Sequence, residues 1–168
     1  MFYAFYKNDC ITITGTNGKS TTSKLLYEAL YDQNFCVRLA GNIGYPILSI
    51  KKISKKTIIV IEASSYQLEY SKIFRSKYAA ILNLSPDHIE RHKSIKRYVK
   101  AKFKLLDNQL KSHVSFVKKE DKLIQDELKS RKFKCKVIRV NNKKKDGSLK
   151  TISNSYFNSE SNKENLSF

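Results

Sequence analysis

The sequence predicts an α/β domain in three layers, in which a mostly parallel, doubly wound sheet has helices on both faces. Two observations support this prediction. Short apolar runs rich in β-branched residues alternate along the chain with longer segments of helical periodicity. These runs are apolar almost throughout rather than at every second position, which is typical of strands that are buried on both faces of a parallel sheet. Strands joined through helices form right-handed crossovers, and the doubly wound arrangement follows from them.

The expected elements follow one another in a regular order. Strands are predicted at 11–14, 36–40, 57–62, 78–84, 113–117 and 136–140. Helices are predicted at 19–31, 94–108 and 121–130, where apolar residues recur at a spacing of three or four. From residue 141 the chain is polar and poor in aliphatic residues. We expect residues 141–168 to be irregular, with weak strands and the start of a last helix.

The composition limits the classes of function. The chain has 168 residues, which is enough for one domain with a core. Its net charge of +18, from 33 Lys and Arg against 15 Asp and Glu, suits binding to nucleic acid, anionic membranes or nucleotide phosphates. The lysines are scattered rather than gathered on one element, so most should be solvated. We therefore expect no specific nucleic-acid partner.

The cysteines and the apolar runs indicate the compartment. Cys10, Cys36 and Cys135 are odd in number and far apart, which indicates reduced thiols in a cytoplasmic protein. Cys10 and Cys36 border strands and are expected to pack in the core. No apolar run is long enough to span a membrane, and the first ten residues lack the features of a signal peptide. No membrane insertion is expected.

A glycine-containing loop carries the clearest chemical signal. It follows the first predicted strand and opens the first helix, and it reads Gly15, Thr16, Asn17, Gly18, Lys19, Ser20, Thr21. Its backbone N–H groups and the helix N-terminus can bind phosphate oxygens. Lys19 can reach the outer phosphates of ATP, and the hydroxyl of Ser20 or Thr21 can bind Mg²⁺. The general nucleotidase motif has an earlier glycine where Ile13 stands, so this is a shorter variant. A plain glycine turn at a helix start is the disfavoured alternative.

Two further candidates follow predicted strands. Glu62 ends the strand at 57–62, where ligands bind in open parallel sheets, and it can hold Mg²⁺ directly or through water. A surface acid at a loop start is the alternative. His88 follows the next strand and a proline turn, and a neutral imidazole there can bind a metal. His92 is expected to be a surface or capping residue.

The helix at 94–108 contains a lysine in an unusual position. Its apolar stripe consists of Ile95, Tyr98, Val99, Leu105 and Leu106. Lys102 falls on this stripe, whereas the neighbouring lysines lie off it. A lysine on a buried face must pair, lose its charge or extend its ammonium to water, and the pattern alone favours the last of these.

The loop variant G-T-N-G-K-S-T resembles that of the Mur ligase and folylpolyglutamate synthase superfamily. Other motifs resemble the family too: N-L-S-P-D-H at 83–88 is similar to its N-x-x-x-D-H, and 98–102 to its Y-x-x-A-K. The segments E-A-S-S-Y-Q-L-E at 62–69 and G-N-I-G at 41–44 resemble the branch that adds D-glutamate to UDP-N-acetylmuramoyl-L-alanine. The resemblance covers about residues 10–140, and N-K-E-N at 162–165 extends it if it matches the N-x-x-N of the last helix.

The resemblance implies a reaction and a domain organisation. Family members use ATP to convert a carboxylate into an acyl phosphate, which an amine then attacks. Residues 10–168 would be the central ATP-binding domain, and residues 1–9 a remnant of a preceding domain or linker. The N-terminal UDP-binding domain and the C-terminal domain would be absent. The chain would then be a fragment or a degenerate copy, inactive alone.

The resemblance also assigns roles to residues. Lys19, His88 and Lys102 would be catalytic, and Lys102 would be carbamylated by CO₂. The metal ligands for Mg²⁺ would be Ser20, Glu62, His88 and carbamylated Lys102. ATP would be bound by the residues from Gly15 to Thr21 and by Asn165, which would contact the adenine. Asn42 and Ser64 would lie near the substrate.

Two other readings remain open. One is a sibling ligase that adds a different amino acid, or adds glutamate to folate. The other is a non-catalytic module that binds polyanions through its +18 charge. We expect the chain to be a monomer.

Overall fold

The computed structural model describes residues 8–51, 53–141 and 168. Within them, one all-parallel sheet has the order β2-β3-β1-β4-β5-β6. The strands are β1 (Cys10–Thr14), β2 (Val37–Gly41), β3 (Ile58–Glu62), β4 (Tyr78–Ile81), β5 (Val114–Lys118) and β6 (Lys136–Val140). The predicted α/β class and parallel sheet are confirmed.

The helices lie on both faces of the sheet. They are α1 (Lys19–Asp32), α2 (Ser65–Glu69), α3 (Ile89–His92), α4 (Ile95–Asp107) and α5 (Lys122–Ser130), with a 3₁₀ turn at Ile47–Ser49. Helix α1 packs on one face, and α2, α4 and α5 contribute to the core on the other. The sequence did not predict α2, α3 or the 3₁₀ turn, because five, four and three residues are too short to show a helical period.

Alternate strand residues supply two separate cores. Cys10, Ile59 and Ile81 face the core beneath α4, and Ile13 and Val60 face the core beneath α1. Each inner strand is therefore buried on both sides. This burial explains the nearly continuous apolar runs in the sequence.

Most boundaries agree with the predictions to within one residue, and β4 is the exception. It was expected to reach residue 84 but ends at Ile81. The backbone then leaves the ladder: the Asn83 carbonyl accepts from the Thr16 N–H at 2.8 Å, and the Leu84 N–H donates to Asp121 Oδ2 at 2.6 Å. The last residues of this apolar run thus hold loops rather than extend the sheet.

The strand order creates a crevice at the carboxyl end of β1. The chain runs from β1 through α1 to β2 on one side, then returns through β3 and crosses beyond β1 to β4. Loops that diverge in this way leave room for a ligand between them. The glycine-containing loop predicted from the sequence lies at this point.

Some expectations are corrected or lie outside the described residues. All three cysteines are free, but Cys36 is exposed, so its predicted packing role is wrong. It precedes β2, and its thiol lies beside Thr57 Oγ1 at 3.2 Å instead of in a core. Residues 1–7 and 142–167, with Asn165 among them, lie outside the described part. In that part, no helix is long and apolar enough to cross a membrane.

Candidate functional site

The loop between β1 and α1 enters its helix through a left-handed glycine. Gly18 has φ 79° and ψ −4° and caps α1 without any side-chain hydrogen bond. Its carbonyl accepts from the Thr22 N–H at 2.9 Å. A side chain at this position would strain the backbone, so glycine is needed where the loop turns into the helix. The N-terminus of α1 is thereby left open at the crevice.

The loop that follows β4 holds the glycine-containing loop in place. Asn83 Oδ1 accepts from the Asn17 N–H at 2.8 Å, and Asn83 Nδ2 donates to the Asn17 carbonyl at 3.2 Å. Thr16 Oγ1 accepts from the Ser85 N–H at 3.0 Å and lies 2.8 Å from the Tyr98 hydroxyl. The loop conformation is therefore fixed by its neighbours before any ligand binds.

Lys19 folds back over its own loop. Its Nζ donates to the Thr16 carbonyl at 2.7 Å, and the residue is half-buried. The side chain of Ser20, the next residue, is exposed at the same helix start. The cation therefore lies within the loop that the sequence assigned to phosphate binding.

Lys102 points into the protein rather than to water. It is 2% exposed, and its Nζ donates to the Gly15 carbonyl at 2.9 Å and to Thr14 Oγ1 at 3.4 Å. The Tyr98 ring centroid lies 4.9 Å from the same nitrogen. The interpretation that this side chain extends to solvent is therefore wrong, because α4 turns it toward the end of β1.

Burial makes this lysine unusually easy to deprotonate. Desolvation, followed by repulsion from Lys19, lowers the pKa of Lys102 from 10.5 to about 7, although Asp87 and Glu62 oppose the shift. A substantial fraction of Lys102 is thus a neutral amine near neutral pH. Only the neutral amine can attack an electrophile such as CO₂.

Glu62 is a buried carboxylate that the protein satisfies on one side only. It is 1% exposed, and its Oε1 accepts from Asn42 Nδ2 at 3.1 Å. Its Oε2 is buried and has no hydrogen-bond partner among the residues that the structure describes. Gly41 allows β2 to approach, since a Cβ there would lie 2.2 Å from the Glu62 carbonyl oxygen. A buried, unpartnered carboxylate oxygen is suited to a cation.

His88 lies further out on the same edge. It is exposed and has a left-handed backbone, with φ 51° and ψ 33°. Its Nε2 is 3.4 Å from Asp87 Oδ2, and its ring is 5.1 Å from that of Tyr66. Among the described residues, no three His, Cys, Asp or Glu side chains come together as a metal site. Any cation here would need hydroxyl, modified-lysine or ligand oxygens as well.

The two residues predicted to lie near a substrate have local structural partners. The Ser64 side chain accepts from the Gln67 N–H at 3.3 Å, and Gln67 Oε1 accepts from the Ser64 N–H at 2.8 Å, so the pair caps α2. The Asn42 N–H donates to the Glu62 carbonyl at 3.0 Å. These bonds fix both residues at the carboxyl edge, and their substrate role stays a prediction.

Sequence reasoning missed three residues of this site. Asn83 fixes the loop, the Tyr98 hydroxyl reaches it, and His92 is 2% exposed. The prediction that His92 is a surface or capping residue is therefore wrong. Tyr98 could have been found, because a tyrosine on a buried stripe needs a partner for its hydroxyl. The burial of His92 could not have been predicted, because the helix Ile89–His92 has only four residues and is too short to show which face is apolar.

The comparisons with known proteins agree with this geometry. Residues 13–167 match the family model described as the Mur ligase middle domain. The chain belongs to the Mur ligase family. The resemblance inferred from the loop, the Glu62 segment and the Y-x-x-A-K segment is therefore confirmed.

Curated Mur ligases give the most specific likeness. The UDP-N-acetylmuramoylalanine–D-glutamate ligase of Thermoanaerobacter sp. (strain X514) is 37% identical over 156 residues, covering 88% of this chain and 34% of that ligase. The ligase of the same name from Bartonella henselae is 44% identical over 115 residues, covering 67% of this chain and 25% of its own length. The chain thus spans about a third or less of the length of these relatives.

Solved structures support the fold alone. MurF ligase from Thermotoga maritima in complex with ADP is 18% identical, with a TM-score of 0.65 over 84% of this chain and 34% of that one. E. coli FolC in complex with DHPP and ADP is 13% identical, with a TM-score of 0.55 over 79% of this chain and 43% of that one. The Mur ligase middle-domain fold is shared at these low identities.

Proposed function

We propose that this Mur ligase chain is the ATP-binding middle domain of a ligase that joins D-glutamate to UDP-N-acetylmuramoyl-L-alanine. The observation that carries the proposal is the buried Lys102, whose Nζ donates to the Gly15 carbonyl of the phosphate loop and whose pKa is affected by the charges of Lys19 and Glu62. The D-glutamate specificity is supported by relatives of that name at 37–45% identity. The reaction would belong to the synthesis of peptidoglycan precursors in the cytoplasm.

The phosphate loop would bind the triphosphate of ATP. The backbone N–H groups of residues 16–20 and the start of α1 would face the β- and γ-phosphates. Lys19 would exchange its bond to the Thr16 carbonyl for a phosphate oxygen, which is a stronger, charge-assisted acceptor. Asn165 would contact the adenine.

The donors at the carboxyl edge fit Mg²⁺. The unpartnered Glu62 Oε2 and the Ser20 hydroxyl would hold one ion, and His88 and carbamylated Lys102 would hold a second. These ions would offset the repulsion between the γ-phosphoryl group and the acceptor carboxylate. Asn42 and Ser64 would lie near that carboxylate.

Lys102 is suited to carbamylation. Its neutral amine would attack the carbon of CO₂, form an N–C bond and release one proton, which leaves a carbamate anion. The carbamate anion would be buried as well, so a bound cation would be needed to stabilise it. The carbamate would supply oxygen ligands where the described residues provide no cluster of three acidic, histidine or cysteine side chains.

Nucleotide binding tests the proposal directly. We expect this chain to bind ATP with Mg²⁺ in isothermal titration calorimetry, and Lys19→Ala to abolish the binding because it removes the cation that faces the phosphates. Lys24→Ala is the matched control, since Lys24 is an exposed lysine on the same helix. Equal affinity in Lys19→Ala and wild type would refute the role of the loop.

Two further measurements separate the alternatives. A polyanion-binding module would bind nucleic acid with a steep dependence on salt that Lys19→Ala does not alter. The D-glutamate assignment requires that the protein carrying this chain release phosphate from ATP with D-glutamate and UDP-N-acetylmuramoyl-L-alanine. Faster turnover with another amino acid, or with a folate, would identify a sibling ligase instead.

A further inference from the structure

The short helix α3 is bounded by two residues in the left-handed region of backbone conformation. His88 has φ 51° and ψ 33°, and Lys93 has φ 63° and ψ −13°. Neither residue is a glycine, so both conformations carry a backbone cost, although histidine adopts this region more often than most residues do. Such strain persists only where surrounding contacts hold the backbone in place. A helix of one turn cannot provide that restraint by itself.

His92 supplies the buried contacts of α3, and the exposed Arg91 adds a hydrogen bond to the Tyr70 hydroxyl at 2.6 Å. His92 is buried, whereas Glu90 and Arg91 are exposed. Its Nε2 lies 3.0 Å from Ser65 Oγ of α2. Its ring stacks on Tyr66, with centroids 5.4 Å apart and planes within 7° of each other. On another side it meets the edge of Tyr98 of α4, at 5.5 Å and 66°. His92 thus joins α3 to both neighbouring helices.

The same contacts reach His88 directly. The His92 N–H donates to the His88 carbonyl at 3.0 Å, so the backbones of the two histidines are bonded across α3. Both imidazoles also contact one aromatic ring, since Tyr66 lies 5.1 Å from the His88 ring and 5.4 Å from the His92 ring. A displacement of His92 would therefore move both the backbone and the ring environment of His88.

We propose that His92 is a positioning residue, which anchors α3 in the core and thereby holds His88 at the carboxyl edge of the sheet. The catalytic consequence rests on the proposed function, in which His88 is a metal ligand. The anchoring itself rests only on the contacts of His92. It explains how the exposed His88 keeps its left-handed backbone at the carboxyl edge of the sheet.

The imidazole signals of the isolated chain test the anchoring without any ligand. The two-dimensional NMR spectrum of histidine ring C–H groups reports on His88, His92 and His113. In the wild type, the Tyr66 ring current should shift the His88 signals away from those of a free histidine. In His92→Leu, which loses both the Ser65 bond and the stacking, the His88 signals should move to free-histidine positions while those of His113 stay.

A second histidine provides the matched control. His113 comes just before β5, at the amino ends of the parallel strands, whereas α3 lies beyond their carboxyl ends. His113→Leu therefore makes the same chemical change far from α3. It should leave the His88 signals where they are. Should His92→Leu fail to fold, Ser65→Ala removes only the hydroxyl, and His92→Gln retains an amide that can bond to it. We expect a partial shift in Ser65→Ala and a smaller one in His92→Gln. Unchanged His88 signals in every folded variant would overturn the proposal.

Kinetics of the protein that carries this chain provide the functional test. His92→Leu should lower kcat by roughly 10- to 100-fold, the range found when residues that orient metal ligands are removed. KM for ATP should stay unchanged, because the loop is held by Asn83 and Ser85 rather than by α3. A fall in kcat no larger than the fall in the folded fraction would contradict positioning. An inactive wild type would instead refute the proposed function and leave the NMR result standing.

Discussion

The phosphate loop after β1 and the Glu62 corner, which consists of Glu62 and Asn42, lie side by side at the carboxyl edge of the sheet. The protein satisfies the hydrogen-bonding groups of the loop more fully than those of the corner. In the loop, Thr16 and Asn17 both have partners in the segment after β4, and Lys102 bonds to the Gly15 carbonyl. At Glu62, one carboxylate oxygen accepts from Asn42, and the other is buried without a hydrogen-bond partner in the described part of the chain. The first region is organised in advance, and the second keeps one carboxylate oxygen that no described residue bonds.

This difference shows what each region contributes to binding. A loop held by its neighbours loses little conformational freedom when a phosphate arrives, so more of the interaction energy appears as affinity. A buried carboxylate with a free oxygen is costly until a cation occupies it. The phosphate loop is therefore an anion site that is already formed, whereas Glu62 is a cation site that becomes favourable only when a cation binds.

The largest expected effect comes from removing Lys102, which bonds to the phosphate loop and interacts electrostatically with Glu62. Lys102→Ala should lower ligase turnover by at least roughly 10²- to 10³-fold, as loss of a preorganised charge-stabilising group does in other enzymes. A small carboxylate such as acetate or formate should restore part of the activity, since it can occupy the place of the carbamate. Turnover of the protein that carries this chain, measured with and without the carboxylate, checks both expectations.

Lys100→Ala is the control for this experiment, because Lys100 is exposed on the same helix. It should keep wild-type turnover and show no response to acetate. Full activity of Lys102→Ala would show that the buried lysine has only a structural role. Rescue by chloride to the same extent as by acetate would exclude the carbamate interpretation.

Removing the negative charge of Glu62 should have the next largest effect. Glu62→Gln keeps the oxygen that accepts from Asn42 but removes the negative charge. With Mg²⁺ present, ATP affinity should fall by roughly 10- to 100-fold, whereas without Mg²⁺ it should be unchanged or higher because a repulsive charge is gone. Calorimetry with and without EDTA measures the difference. Glu90→Gln, an exposed acid on α3, should behave as wild type.

The sequence predicted the fold and the principal charged groups of this site for identifiable reasons. The inner strands are buried on both faces, so their apolar runs are continuous, and their order along the chain indicated a parallel sheet. Lys102 could be singled out because a charged residue interrupts a stripe that is otherwise apolar. Both signals extend over many residues, which makes them robust to local variation.

Other features could not be predicted because they depend on single contacts. His92 is buried by Tyr66 and Tyr98, which come from two other helices. The end of β4 is set by bonds from Asn83 and Leu84 to distant loops. Neither arrangement leaves a periodic trace in the sequence. They become visible only when the backbone brings these segments together.

The smallest effect is expected from removing the Tyr98 hydroxyl, which contacts the phosphate loop. Tyr98→Phe keeps the ring beside Lys102 and the packing of α4 but removes the bond to Thr16 Oγ1. A net hydrogen bond contributes about 0.5–1.5 kcal/mol, so the Kd for ATP should rise by roughly two- to tenfold if that bond helps to hold the loop. Calorimetry on this chain measures the change, and Tyr31→Phe, which alters an exposed tyrosine of α1, should have no effect.

A double-mutant cycle decides whether the effect passes through the loop. Thr16→Val removes the partner of the Tyr98 hydroxyl and also the acceptor for the Ser85 N–H, so alone it should weaken binding more than Tyr98→Phe does. If the Tyr98 hydroxyl acts only through Thr16, adding Tyr98→Phe to Thr16→Val should cost nothing further, because the bond is already lost. Thr16→Ser keeps the oxygen and should leave Tyr98→Phe with its full effect. Additive losses in the Val background would mean that the Tyr98 hydroxyl influences nucleotide affinity by a route other than Thr16, and the conformation of the loop would then not depend on this hydrogen bond.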